Sequence, residues 1–250
     1  MSKIKISRSY LPNSVTALNI FCGFASIVFA SKGEFHFSAI LIFLAAFFDL
    51  IDGLIARMIG TSSQFGVELD SLSDVVSFGA APAYLIYSIN LYQYDYLGIA
   101  LSSLLLIFGA LRLARFNSQI VDLNTKVDFK GLPILISALV IASLFITFSE
   151  ELLLNLELTN YLIMLILALS YLMVSNIKYD ALPKPKFEVI KKRPMFFVFV
   201  LIGIGFLVIT KGKASFYIFI SFVLFGIFRH IFNTLSKKDS SQIEINKEIN

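Results

Sequence analysis

Residues 37–56 read FSAILIFLAAFFDLIDGLIA, an apolar run long enough to cross a bilayer as one α-helix. Asp49 and Asp52 interrupt this run near its end. A carboxylate at the depth of the hydrocarbon is costly unless it is paired, hydrated or bound to a metal. The stretch therefore predicts a membrane-spanning helix that carries a functional site near one end.

The rest of the chain shares this apolar character. Of its 250 residues 57% are hydrophobic and only 15% are charged, with a mean hydropathy of +0.81. A soluble domain typically carries about 25% charged residues. We therefore predict an all-α polytopic membrane protein. The single cysteine, Cys22, allows no internal disulfide and argues against a thiolate metal site.

Eight stretches have the length and hydropathy expected of transmembrane helices. They form a single predicted catalytic domain over residues 1–235, with a core at about 10–175 and extra helices at about 195–235, followed by a polar cytoplasmic tail at 236–250. The eight predicted spans are Val15–Ser31, Phe37–Ala56, Leu72–Leu91, Leu97–Arg115, Leu132–Phe148, Asn160–Ser175, Met195–Thr210 and Ala214–Leu235.

The distribution of basic residues predicts the orientation. An even number of spans puts both termini on one side, and eighteen of the 21 Lys and Arg residues fall on that side, leaving only Lys32, Lys211 and Lys213 opposite. Basic residues are enriched in cytoplasmic loops. We therefore predict a cell-membrane protein with both termini in the cytoplasm. The net charge of +4 then indicates membrane lipids rather than nucleic acid as partners.

Two more aspartates follow the second span, in the stretch Gly66-Val-Glu-Leu-Asp70-Ser-Leu-Ser-Asp74. Asp49 and Asp52 are three residues apart, and Asp70 and Asp74 are four apart, so the members of each pair share a helix face. The short loop between the two helices makes them antiparallel neighbours. We therefore predict that the four carboxylates converge just inside the cytoplasmic interface.

Four carboxylates so close repel one another unless cations neutralise them. Ligation by oxygen alone suits Mg²⁺ or Mn²⁺ rather than zinc, and two such ions can assist an in-line displacement at phosphorus. Gly53 and Gly66 leave room for a base or a phosphate, Arg57 offers a planar fork for phosphate, and Ser63 adds a hydroxyl. Intramembrane aspartates also occur in proton and ion pathways, so an ion-coupled transporter is the alternative from another class.

The pattern D-x-x-D-G-x-x-A-R, eight residues, then G-x-x-x-D-x-x-x-D resembles the signature of the CDP-alcohol phosphotransferases, with every fixed position present from Asp49 to Asp74. This resemblance implies a six-helix core, a homodimer and a site that opens to the cytoplasm. It also implies that Asp49, Asp52 and Asp70 bind two metal ions, with Asp70 bridging them, and that Asp74 is both a ligand and the general base. The positions that it implies contact the CDP group are Gly53, Arg57 and Ser63.

Other segments resemble the bacterial and archaeal members of that family that use serine as the acceptor. The resemblance implies CDP-diacylglycerol and L-serine as substrates, with phosphatidylserine and CMP as products. A sister enzyme that uses glycerol 3-phosphate or inositol phosphate is the nearest alternative. The segments are Leu11–Asn19 followed by Gly23-Phe24, Asp70–Asp74 followed by Ser77–Pro82, Arg112–Asn117 and Phe129–Pro133.

Four polar residues in these segments have two interpretations each. Asn13 and Thr16 either contact the nucleotide or simply cap and start the first helix. Arg112 and Arg115 either act only as topogenic charges or bind anionic groups, since a serine substrate carries a carboxylate that needs such a partner. We expect the two arginines to face the aspartate site.

Overall fold

The computed structural model describes residues 10–59, 64–119, 131–177, 179, 210 and 212–248. Within these ranges the secondary structure is helical and no strand occurs, so the predicted all-α class is confirmed. The helices are α1 (Tyr10–Ser31), α2 (Phe35–Ile59), α3 (Gln64–Asp74), a π-helical turn (Val75–Ala80), α4 (Ala81–Ile89), a 3-10 turn (Leu91–Tyr94), α5 (Asp95–Gln119), α6 (Ile134–Thr147), α7 (Glu150–Leu153), α8 (Leu156–Val174) and α9 (Ser215–Glu248).

Six helical stretches in the described part of the chain are long and apolar enough to cross a membrane. The chain is therefore a multi-pass membrane protein, as its composition predicts. The fifth predicted span, Leu132–Phe148, is the shorter α6, and the seventh, Met195–Thr210, lies outside the described residues except for Thr210. The six stretches are Pro12–Ser31, Phe35–Ala56, Gln64–Ile89, Leu91–Ser118, Glu157–Val174 and Ser215–Phe232.

The short helix α6 forms the centre of the bundle. It contacts α2, the π-helical turn, α4, α5, α8 and α9, and eleven of its 14 residues are buried. A helix that is apolar on all sides is stable where other helices surround it. Pro133 precedes its first turn and Phe148, with an extended backbone, ends it. Protein rather than lipid therefore surrounds α6.

Helix α1 lies in close contact with the chain just after Asp74. A Cβ atom on Gly23 would overlap the Cα and side chain of Ser77, so only glycine allows this approach. The Ser77 hydroxyl donates to the carbonyl of Asn19 at 2.9 Å, and the Ser73 hydroxyl donates to the carbonyl of Thr16 at 3.5 Å. These contacts hold the end of α3 against α1.

The last helix continues into the segment that the sequence analysis treats as a polar tail. Helix α9 ends at Glu248, so residues 236–248 are helical and not separated from the last span by a break. The segment contains no glycine or proline and includes three Lys, two Glu and one Gln, which have high helix propensity. The division of the chain at residue 235 stays a prediction.

We expect Gly23→Ala to destabilise the protein. Alanine in a helix is normally favoured over glycine by about 1 kcal/mol. At this position the added Cβ collides with the backbone of Ser77, and overpacking of this kind typically costs about 1–3 kcal/mol. Thermal unfolding in detergent should show a lower midpoint for Gly23→Ala. Ala17→Leu, which adds more bulk on the exposed side of the same helix, should leave the midpoint nearly unchanged; an equal loss in both variants would contradict this packing argument.

Candidate metal and substrate site

Three of the four predicted aspartates come together between α2 and α3. Asp49, Asp70 and Asp74 each present a carboxylate oxygen, and these three oxygens all lie within 4.8 Å of one another. Each residue is partly buried. The helical spacing therefore orients Asp70 and Asp74 to one side of α3, and the end of α2 supplies the third carboxylate.

Asp52 lies beside this group and is not one of its three members. Its side chain is only 4% exposed, so it is more buried than the other three carboxylates. Its charge nevertheless acts on Asp70 and on Asp74. The sequence predicted that four carboxylates meet at one point. The structure instead has a cluster of three, with Asp52 as a more buried neighbour.

The chemistry of this cluster fits a divalent cation. Like charges this close repel strongly where little water screens them. The Oδ1 atom of Asp74 is buried and accepts no hydrogen bond from the residues that the structure describes. A buried carboxylate oxygen without a donor is costly, and a hard cation that prefers oxygen ligands satisfies it. Asp49, Asp70 and Asp74 are therefore the residues that would hold Mg²⁺ or Mn²⁺.

The π-helical turn begins directly after Asp74. Turns of this type widen a helix locally and are frequent at functional sites. Pro82 lies near the start of α4 and has no N–H, so the carbonyl of Phe78 cannot accept the regular α-helical bond from residue 82. The turn buries Ser77, Phe78 and Gly79 against the neighbouring helices. The position of Asp74 is thereby fixed by the packing of the residues that follow it.

Arg112 enters the site from α5. Its side chain is 8% exposed, and its charge interacts with that of Asp74 and, unfavourably, with that of Arg115. The Nε atom of Arg112 is buried and donates no hydrogen bond to any described residue. A buried donor of this kind requires an acceptor. Arg112 therefore has a free donor beside the carboxylate cluster where an anionic group of a ligand can bind.

The second arginine is used differently. The Nη1 atom of Arg115 donates to the carbonyl of Val174 at 2.9 Å, at the last residue of α8. Arg112 and Arg115 therefore have different partners in the structure, although both have the same two interpretations from the sequence alone. Arg112 lies near enough to Asp74 for their charges to interact, and Arg115 holds the end of a neighbouring helix.

Asn117 and Ser71 form a link that the sequence reasoning did not identify. The Nδ2 atom of Asn117 donates to the Ser71 hydroxyl at 2.9 Å, and that hydroxyl donates to the carbonyl of Val67 at 3.1 Å. Ser71 lies next to Asp70, so this link fixes α5 against the helix that carries two of the aspartates. The only signal in the sequence is the presence of both residues in segments that resemble the serine-using enzymes.

The two polar residues predicted on α1 lie within the helix and do not cap it, because the helix begins at Tyr10. Asn13 is partly buried. Thr16 is 4% exposed, and its hydroxyl donates to the carbonyl of Pro12 at 3.1 Å. The interpretation of these residues as a cap and helix start is wrong, and their contact with a nucleotide stays a prediction.

The remaining predicted residues lie around the end of α2 and the start of α3. Gly53 and Gly66 are both partly buried, on α2 and α3 respectively. Arg57 belongs to α2, and Ser63 lies outside the residues that the structure describes. The roles of these four residues toward a nucleotide stay predictions.

Comparison with known proteins identifies the family. Residues 9–172 match the model of the CDP-alcohol phosphatidyltransferases, and the chain belongs to this family. A CDP-diacylglycerol–serine O-phosphatidyltransferase of Helicobacter pylori is 36% identical over 224 residues, covering 88% of this chain and 91% of the relative. An enzyme of the same name from Methanocaldococcus jannaschii is 44% identical over 173 residues, covering 69% of this chain and 75% of the relative. An archaetidylserine synthase of Methanothermobacter thermautotrophicus is 40% identical over 171 residues, covering 68% and 69%.

These matches confirm the family that the aspartate pattern resembles and confirm that the protein is an enzyme, a transferase. The match includes α1 to α6 and nearly all of α8, so it contains all three helices that form the site. The transporter alternative is thereby set aside.

We expect the carboxylate cluster to bind Mn²⁺ in the purified protein. Asp49→Asn, Asp70→Asn and Asp74→Asn should each weaken Mn²⁺ binding by about tenfold or more, because each removes a charged oxygen ligand. The loss of free Mn²⁺ signal in electron paramagnetic resonance titrations measures this. Glu68→Gln is the matched control, since Glu68 is an exposed carboxylate on the same helix. Unchanged Mn²⁺ affinity in all three aspartate variants would contradict the metal site.

Proposed function

We propose that this enzyme transfers the phosphatidyl group of CDP-diacylglycerol to L-serine, giving phosphatidylserine and CMP, by metal-assisted direct displacement. The observation that carries the proposal is the buried Arg112, which has a free Nε donor beside the cluster of Asp49, Asp70 and Asp74. This arrangement combines a site for a cation with a site for an organic anion. The names of the relatives support serine as the acceptor.

Asp49, Asp70 and Asp74 would hold one ion, and Asp52 would add a ligand for a second. When bound, Mg²⁺ or Mn²⁺ supplies positive charge that neutralises the non-bridging phosphate oxygens of the CDP-lipid. Gly53 and Gly66 leave space for the nucleotide, whose other contacts come from Arg57, Ser63, Asn13 and Thr16 in this proposal.

Asp74 takes the proton from the serine hydroxyl. The serine oxygen attacks the phosphorus that bears diacylglycerol, forming a new P–O bond. The bond from that phosphorus to the bridging oxygen breaks, and CMP leaves with that oxygen and its electron pair. Because one carboxylate base is enough for this displacement, no covalent intermediate with the enzyme is required.

Arg112 binds the carboxylate of serine. A charged hydrogen bond of this type is strong and directional, and the burial of Arg112 reduces competition from water. Its position near Asp74 brings the acceptor to the base that must deprotonate it. Arg115 supports this end of α5 from its contact with α8.

The orientation of the enzyme in this proposal follows from its charges. The cytoplasmic side carries most of the Lys and Arg residues, so the site opens to the cytoplasm and CDP-diacylglycerol enters from the inner leaflet of the cell membrane. The acyl chains remain in lipid during the reaction. We include a homodimer in the proposal because the family resemblance implies one.

Purified enzyme with CDP-diacylglycerol and Mg²⁺ or Mn²⁺ should release CMP when L-serine is added. Parallel reactions with glycerol 3-phosphate and with inositol phosphate should release little, because the site has one free buried guanidinium donor among the described residues, and a phosphate-bearing acceptor calls for a larger basic pocket. Chromatographic quantification of CMP measures each reaction. CMP release with one of the phosphorylated alcohols and not with serine would contradict the assignment of the acceptor.

Asp74→Asn should lower CMP release by about a hundredfold or more, since general-base catalysis typically contributes about 10²–10⁴-fold. The variant should remain folded, because asparagine has nearly the same shape. Steady-state rates at saturating serine measure the loss, and Glu68→Gln serves as the control. Near-normal CMP release by Asp74→Asn would remove Asp74 from the role of the base.

Arg112→Gln should raise the KM for serine by about tenfold or more, since hydrogen bonds to charged groups contribute about 1.5–3 kcal/mol. The KM for CDP-diacylglycerol should change much less, because Arg112 binds the acceptor in this proposal. Initial rates over a range of each substrate separate the two constants. Ser118→Ala, a change at an exposed position on the same helix, should alter neither; a larger change for CDP-diacylglycerol than for serine in Arg112→Gln would place this arginine on the donor.

A further inference from the structure

The cytoplasmic end of α8 is a junction that joins three parts of the chain. Backbone carbonyls at and just beyond its last turn accept hydrogen bonds from α5 and from the turn that leads into α6. The bonds run from Leu132 N to Leu172 O at 2.9 Å, from Arg115 Nη1 to Val174 O at 2.9 Å and from Gly131 N to Ile177 O at 2.8 Å. The end of α8 is therefore bonded directly to α5, the helix that carries Arg112, and to the turn before α6.

Gly131 packs tightly into this junction. Its φ of +85° lies in the left-handed region, and a Cβ atom there would overlap the carbonyl of Met173 and lie 3.2 Å from Nη2 of Arg115. Movement of the segment after α8 therefore displaces the Gly131 turn and the Arg115 guanidinium together.

Arg115 and Arg112 are one helical turn apart on α5. The positive charge of Arg115 lies at the C-terminal end of α8, where the helix dipole and the exposed carbonyls favour it. Since α5 is a continuous helix here, the position of Arg115 sets the position of Arg112 relative to Asp74. In the proposed function Arg112 binds the acceptor, and the contact of Arg115 with α8 supports the part of α5 that carries Arg112.

Tyr179 connects this junction to the last helix. It lies two residues beyond Ile177, is 4% exposed and stacks on Phe222 of α9 with ring centroids 6.3 Å apart. Its hydroxyl donates to the carbonyl of Val223 at 3.4 Å. The ring fills a notch at Gly226, where an added Cβ atom would overlap the ring carbons. Burial raises the pKa of Tyr179 to about 12, so the phenol stays a neutral donor near pH 7.

We propose that the last helix is a positioning element for the acceptor site, which acts through the Tyr179 ring seated at Gly226 and the junction at the end of α8. The inference rests on the proposed function, because the property that it affects is the binding of serine. It gives α9, which lies beyond the residues matched by the family model, a role in the reaction.

The effect should be selective for the acceptor. The carboxylates that would hold the metal lie on α2 and α3, whereas the junction contacts α5, α8 and the turn before α6. Loosening Tyr179 should therefore disturb the placement of Arg112 more than that of Asp49 or Asp70.

The test compares Tyr179→Ala and Gly226→Ala with two controls in the purified full chain. Both variants should raise the KM for serine by about fivefold or more, while the KM for CDP-diacylglycerol, kcat and the affinity for Mn²⁺ stay within about twofold of the wild type. Tyr179→Phe retains the ring at Gly226 and loses only the long 3.4 Å bond to Val223, so it should keep nearly the wild-type KM for serine. Ser221→Ala removes an exposed hydroxyl of α9 that donates to the carbonyl of Tyr217 in the same helix, and it should also have no effect. If Tyr179→Ala does not fold, Tyr179→Leu retains part of the bulk in the notch and is measured in the same way.

The outcomes distinguish this inference from the proposed function. A wild-type enzyme that releases no CMP with serine overturns both. An active wild type with an unchanged KM for serine in Tyr179→Ala and Gly226→Ala overturns the role of α9 alone. A parallel loss of kcat, of both KM values and of Mn²⁺ affinity also overturns it, because that pattern reports general destabilisation and not placement of the acceptor.

Discussion

The mutual repulsion of Asp49, Asp70 and Asp74 is the constraint on which the rest of the structure depends. Their carboxylate oxygens lie within 4.8 Å of one another in a protein that crosses a membrane. Such crowding is unfavourable without a counter-charge, so the helices that carry the three residues must be held together by contacts elsewhere.

Small residues supply one part of this support. Gly23, Ser73 and Ser77 allow α1 to lie directly against the end of α3 and the π-helical turn. Close approach of this kind is the usual basis of helix association in lipid, where the hydrophobic effect between helices is absent. On the other side, the bond from Asn117 to Ser71 connects α5 to α3. The cluster is thus supported from two sides by short-range packing and hydrogen bonds.

The sequence predicted much of this arrangement because the signals are local. Aspartates at helical spacing are visible in a single segment, and the hydropathy of each span depends only on its own residues. Several features are not local. The central position of α6, the exclusion of Asp52 from the group of three and the use of Arg115 at the end of α8 all depend on which helices become neighbours. The two arginines have the same charge and lie three residues apart, so nothing in the sequence distinguishes their partners.

The sequence by itself determined an all-α membrane protein with a carboxylate site at the ends of two adjacent spans, since charge and hydropathy act over a few residues and restrict where each segment can lie. The tertiary structure decided which carboxylates meet, which arginine lies near them and which helix ends pack around the site. Those choices depend on contacts between residues that are distant in the chain, such as Asn117 with Ser71 and Arg115 with Val174. The aspartates of residues 49–74 indicate where the site lies, and the packing of the surrounding helices sets its geometry.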